Sequence, residues 1–220
     1  MPAAPTLQFD PVAAKRHLRR ADPVLAGVMR RSIPFALRPR ATQSIFGALV
    51  ESIVYQQLSG KAAATILERT RRLFLPRRFP TPQDILDAPD TRLRSAGLSG
   101  AKAAALKDLA RHTLDGTVPT LRRARRMSDE ELVERLTVVR GVGVWTVEML
   151  LMFRLGRPDV LPVGDLGVRK GFSLAYGLDR MPTPTELAEH AECWRPFRSV
   201  GSWYMWRAIE ILSGPGAGRG

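Results

Sequence analysis

The chain has 220 residues, 45% of them apolar, enough for one compact unit or two small lobes around a real core. No run of about 18 apolar residues occurs, which excludes a membrane-spanning helix, and the single cysteine, Cys193, excludes an intrachain disulfide and a four-cysteine iron–sulfur cluster. Lys and Arg total 34 against 21 Asp and Glu; the net charge of +13 favours nucleic acid or another anionic surface as partner, although arginine-rich composition alone discriminates little.

Met1 to Gln8 lacks the basic start and apolar core of a secretory signal, so a cytoplasmic location is expected, and residues 1–9 read as a loose arm. Pro11 to Arg20 and Pro23 to Arg31 read as two short basic helices. Thr42 to Leu58 is predicted as the first long helix, with Ile45, Leu49, Ile53 and Gln56 following the 3.6-residue period. Ser59-Gly60 opens the next helix, which runs to about Phe74, and Pro76 to Pro80 is a linker. Thr81-Pro82 starts a further helix in the order cap then proline. Ser99 caps another that ends near Leu114, before Gly116 and Pro119. The arginines at 122, 123, 125 and 126 read as a solvated face, with phosphate contact as the alternative.

Ser128 with Glu131 has the capping-box form, so a helix begins at Asp129 and carries Leu132, Leu136 and Val139 on one face. Gly141 and Gly143 then break the pattern. Val144 to Leu155 is apolar nearly all round, as in a helix buried on most sides. Leu161-Pro162-Val163-Gly164 leads to Asp165, placed to cap a helix that starts at Leu166. Thr183 to Glu186 is another cap, for a helix over Pro184 to Cys193. A last helix spans Phe197 to about Ser213, followed by a flexible tail over 214–220. No period-2 pattern of useful length appears, and the fold class is all-α.

Two glycines one residue apart let peptide N–H groups approach an anion, and the helix after them adds the positive end of its dipole. A DNA phosphate suits such a place. The glycine turn follows a helix and has no third glycine, which sets aside a dinucleotide-binding turn. Taken alone, Gly-x-Gly is better explained as an ordinary tight connection between two packed helices.

The wider stretch is more specific. Val139-Arg140-Gly141-Val142-Gly143, a helix, and Pro162-Val163-Gly164-Asp165-Leu166-Gly167-Val168-Arg169 together resemble the helix-hairpin-helix superfamily of DNA base-excision glycosylases. Arg140 replaces a usual proline; Gly164 is an insertion typical of the alkyladenine (3-methyladenine II) branch. Further matches are Ile53 to Ser59, Gly97-Leu98-Ser99 with Lys102-Ala103, and Arg195-Pro196-Phe197-Arg198-Ser199 followed by Trp203 and Trp206. The resemblance implies two helical lobes with the active-site cleft between them: 42–160, holding the helix-hairpin-helix at 128–155, and 1–41 plus 161–220. It also implies a short form without the N-terminal β domain of larger relatives, and the lone cysteine separates the chain from relatives with an iron–sulfur cluster.

By the same resemblance Asp165 is the catalytic carboxylate. An alkylated purine with a formal positive charge departs without protonation, so one carboxylate facing the cationic sugar can replace the usual pair. Capping alone would also account for an aspartate there. Bifunctional relatives carry a nucleophilic lysine two residues past the second hairpin glycine; here that position is Trp145, so water is the expected nucleophile and an abasic site the product. Lys170 matches no family nucleophile. The base pocket is assigned to Trp145, Trp206, Met149 and Trp203, although a stripe of this kind is more often plain core, and that is the favoured reading for Met149 and Met152. Gly141, Val142 and Gly143 are the backbone contacts, and Gln57 or Leu58 the minor-groove wedge. The three histidines lack ligand spacing, so no catalytic metal or other cofactor is expected, apart from a monovalent cation on hairpin carbonyls near Arg140 and Val142. The expected partner is double-stranded DNA with damaged bases, and the expected state a monomer. Excision of an oxidised base with strand cleavage, or a purely DNA-binding module, are the competing functions.

Overall fold

The computed structural model describes residues 6–213. The expected tail and the first five residues of the expected arm lie outside them. In chain order the helices are α1 (Pro11–Ala21), α2 (Pro23–Arg31), α3 (Ile45–Tyr55), α4 (Gly60–Arg72), α5 (Pro82–Asp87), α6 (Asp90–Ser95) and α7 (Gly100–Leu114). There follow α8 (Leu121–Ala124), α9 (Asp129–Leu136), α10 (Val144–Leu150), α11 (Leu166–Ala175), α12 (Pro184–His190) and α13 (Arg198–Leu212). A π turn over Leu151–Leu155 continues α10, and a 3-10 turn over Ala191–Trp194 continues α12. The described residues contain no strand, and none of their helices is long and apolar enough to cross a membrane.

Local chemistry sets most helix starts. Ser128 and Glu131 close their capping box reciprocally, as do Thr81 with Asp84 and Thr183 with Glu186. The helix expected from Thr42 to Leu58 is shorter at both ends. Ser44 caps it by accepting from the Gly47 amide at 3.0 Å, and Gln57, at φ 55°, turns the chain out of the helix. Residues 6–9 are not a loose arm: the Gln8 amide donates to the Gly156 carbonyl at 2.9 Å, its side chain donates to Leu155 at 3.0 Å, and Phe9 packs on Phe35 and Phe197.

The chain divides into two compact units. The second comprises Ala41–Leu150; the first combines the residues up to Arg40 with those from Leu151 onward. The sequence put the later boundary near 160, but the segment from Leu151 belongs to the first unit. Leu151, Met152, Leu155 and Val160 are buried there, and the Phe153 carbonyl accepts from the Arg40 amide at 2.7 Å.

In the second unit α3 and α5 pack on α7, burying Ile45, Leu49, Ile53, Ile85, Leu106 and Leu109. In the first unit the most extensive contact is α11 on α13. It is close enough that a side-chain carbon on Gly171 would overlap the Met205 carbonyl, so only glycine fits. Buried Asp22, between α1 and α2, ties distant segments together. It caps α2 through the Leu25 amide (2.9 Å) and accepts from the Trp194 indole (2.7 Å), His190 Nε2 (3.2 Å) and the Tyr176 hydroxyl. Burial alone would raise its pKa, but these donors together hold the carboxyl below its ordinary value.

Candidate active site

Asp165 stands at the start of α11. Its Oδ1 accepts from the Val168 amide at 2.8 Å, the capping bond read from the sequence, and also from the indole N–H of Trp206 at 2.9 Å. These two donors converge on one oxygen and fix the carboxylate's orientation. Trp206 is itself fixed, stacking on Phe153 with ring centres 5.8 Å apart and planes 29° apart. The indole that the family resemblance assigned to the base pocket therefore also orients the carboxylate. Trp203, assigned to the same pocket, lies in the core at 8% exposure, edge-on to Phe35 and Tyr204, so little of its ring is left to line a pocket.

The loop into Asp165 is laced to the start of α13. Arg198 grips Asp159 through Nε (2.8 Å) and Nη2 (2.9 Å), and Arg195 adds a bond at 2.7 Å. The Ser199 hydroxyl donates to the Arg157 carbonyl at 2.8 Å and accepts from the Val160 amide at 2.9 Å. The segment Arg195 to Ser199 thus anchors the loop that leads to the carboxylate.

The second unit holds the hairpin. Val142 is buried and pins it, while Gly141 (φ 78°) and Gly143 are exposed. Nothing lies within 4 Å of where a Gly143 side chain would begin, so the backbone is open to close approach there. Two side chains brace the turn. Asp108 accepts from the Arg140 amide at 2.8 Å, and the Gln56 amide group donates to the Gly141 carbonyl at 2.8 Å.

Beside the hairpin, a recess of about 450 Å³ is lined by Ser52, Tyr55, Gln56 and Gln57 with Trp145, Thr146 and Met149. Trp145 is half exposed (49%), unusual for so large an apolar ring. Met149 lines the recess, whereas Met152 is fully buried in the other unit. Met152 falls within the π turn that follows Leu150. Gln57 and Leu58 are both exposed at the tip after α3, and Gln57 is the only described non-glycine residue with a positive φ. Lys170 is exposed on α11.

Sequence reasoning named no role for Gln56, Lys102, Asp108, Phe153 or Gly167. Their partners lie far along the chain, and only the fold supplies them. One trio of potential metal-ligand atoms also escaped it: Asp22, His190 and Cys193 lie within 4.8 Å of one another. Oδ2 of Asp22 already accepts from the Trp194 indole and the Tyr176 hydroxyl, which suits a structural knot.

Comparisons with known proteins show the chain's family. DNA-3-methyladenine glycosylase 1 of Schizosaccharomyces pombe is 40% identical over 163 residues, 74% of this chain and 72% of that protein. The solved structure of the S. pombe 3-methyladenine DNA glycosylase Mag1 in complex with abasic DNA is similar at TM-score 0.78 and 35% identity, covering 92% of this chain and 98% of that one. A Bacillus halodurans DNA-3-methyladenine glycosidase structure gives TM-score 0.82 at 30% identity, over 94% of this chain and 93% of that one. The sequence model described as HhH-GPD superfamily base excision DNA repair protein matches residues 50–196, a span that takes in the tip after α3, the hairpin and Asp165. By that match and these likenesses, the chain belongs to the HhH-GPD superfamily of base excision DNA repair proteins.

Proposed function

We propose that the protein is a monofunctional DNA glycosylase that extrudes an alkylated base from duplex DNA and hydrolyses its N-glycosidic bond, leaving an abasic site. The observation that carries the proposal is Asp165, a carboxylate oriented by the Val168 amide and the Trp206 indole at the start of α11. As the C1′–N bond lengthens, the sugar becomes cationic, and a preoriented carboxylate meets that charge without reorganising. The departing base already carries the positive charge it must lose, so no general acid is required. Water completes the reaction at C1′.

Trp145 occupies the position where a nucleophilic lysine would form a Schiff base, and it supports hydrolysis over strand cleavage. Its exposed face suits a cationic base over a neutral one by about 0.5–2 kcal/mol. Met149 gives the recess an adaptable wall. The open hairpin backbone at Gly141 to Gly143 would take a DNA phosphate, and Gln57 or Leu58 would fill the vacated place in the stack. A monovalent cation fits the hairpin through the Arg140 and Val142 carbonyls. Those of Val139, Gly141 and Gly143 are already engaged by Val142, Gln56 and Thr146 respectively, and the ion would add positive charge beside the phosphate. The partner is double-stranded DNA with a damaged base, met by a monomer in the cytoplasm.

The test is a panel of duplexes, each with one alkylated or deaminated base, treated with alkali after incubation to reveal abasic sites. Asp165→Asn should lower base release by about 10²–10³-fold while DNA binding stays within a few-fold of the parent. Unchanged release in the variant, or a covalent adduct trapped by borohydride, would overturn the proposal.

A further inference from the structure

The end of α3 carries a feature that neither the hairpin nor the carboxylate explains. The last carbonyls of a helix have no intrahelical partner and gather negative partial charge. Here the Nζ of Lys102, from the first turn of α7, donates to two of them, Val54 (2.7 Å) and Gln56 (2.8 Å). The next residue is Gln57, exposed and held in the left-handed conformation at φ 55°. Burial depresses the lysine's pKa, in keeping with an ammonium drawn partly out of water to reach backbone oxygens.

The lysine is one corner of a frame. Gln56 reaches sideways to the Gly141 carbonyl at 2.8 Å, tying the tip to the hairpin. The hairpin is tied back to α7 through Asp108, which accepts from the Arg140 amide at 2.8 Å. One helix, α7, therefore holds the tip through Lys102 and the hairpin through Asp108, and it fixes the spacing of these two parts. Left to itself, a four-residue turn with a strained residue at its apex would sample many conformers, and ordering it on DNA would cost free energy at the moment of insertion.

We propose that Lys102 is a positioning residue for base extrusion: by holding the Val54 and Gln56 carbonyls it presets the 55–58 tip at a fixed distance from the hairpin before DNA arrives. The proposal rests on the glycosylase reading above. It assigns Lys102 no contact with the base, the sugar or the reacting atoms. Its effect falls on the step that unstacks the nucleotide, and it spares bond cleavage once the base is out.

The test uses Lys102→Met, which keeps the apolar stem and deletes the three donors. Single-turnover base release is measured for one alkylated base in a fully paired duplex and for the same base in a bulge, where it is already unstacked. The paired rate should fall roughly tenfold or more while the bulge rate stays within about threefold, because only the paired substrate needs the tip. Lys102→Arg should recover much of the paired rate. The paired-to-bulge ratio is unaffected by partial unfolding, since both substrates see the same folded fraction. Should Lys102→Met fail to fold, Gln56→Met cuts the second tie and should shift the ratio in the same direction. Equal losses on the two substrates, or no loss on either, would overturn the proposal. A parent protein that releases no base from either substrate would instead overturn the glycosylase reading.

Discussion

A methyl group at position 167 would lie 2.9 Å from Trp206 Cδ1 and 3.0 Å from Asp165 Oδ1. Gly167 therefore keeps open the gap across which the indole holds the carboxylate. In an exposed helix, alanine is worth about 1 kcal/mol over glycine, which offsets part of the overpacking cost. Gly167→Ala should consequently leave the melting temperature within a few degrees of the parent. Displacing either group by a fraction of an ångström should still lower single-turnover base release by about 10²-fold. A variant as active as the parent would show that the indole–carboxylate bond is not needed. At this scale the sequence was informative about local geometry, as for the cap at Asp165 and the turn at Gly141. It was silent on Gly167 and Phe153, whose importance comes from a helix crossing that brings residue 206 to residue 165.

At the scale of elements, caps were legible and terminations less so. Ser59, Thr81, Ser99, Ser128, Asp165 and Thr183 each accept from an amide of the first turn, as short polar side chains at those places predict, whereas Ser44 caps a helix that the sequence pattern starts at Thr42. The π turn after α10 has no such local sign, because the apolar run through Leu155 reads as uninterrupted helix. The knot at Asp22 was equally hidden, since its partners Tyr176, His190 and Trp194 are over 150 residues away in the chain. It carries a pH prediction. The carboxyl's pKa is lower in the folded protein than its ordinary 3.8, so its contribution is complete above about pH 4 and disappears as pH falls through the folded value. Asp22→Asn should lower stability at neutral pH by about 2–3 kcal/mol, the cost of weakening several buried charge-assisted bonds. Its melting temperature should then fall less than the parent's between about pH 4 and pH 2. Parallel acid profiles for the two proteins would place the acid sensitivity elsewhere.

For the whole molecule, the all-α class followed from period and caps alone. The division into units did so only in part, since the residues after Leu150 join the N-terminal segment through contacts with Gln8 and Arg40 that no local pattern announces. The net charge of +13 acts at this scale too. Binding that releases counterions from phosphates should weaken by more than about tenfold between 50 and 200 mM salt, with a log–log slope near −0.9 per phosphate neutralised. Titrating an undamaged duplex at several salt concentrations checks it, and a flat response would remove the phosphate role given to the hairpin.

The left-handed turn at Gln57 has an evolutionary corollary. Glycine would occupy φ 55° without steric penalty, whereas a side chain there forgoes about 1 kcal/mol of folding stability. A chain tuned only for sturdiness would place glycine there; on the wedge role proposed above, the amide trades robustness for reach at the exposed apex. Screens for heat-resistant variants should therefore recover Gln57→Gly readily, and the proposed wedge role predicts that such variants release a base from paired DNA more slowly than the parent.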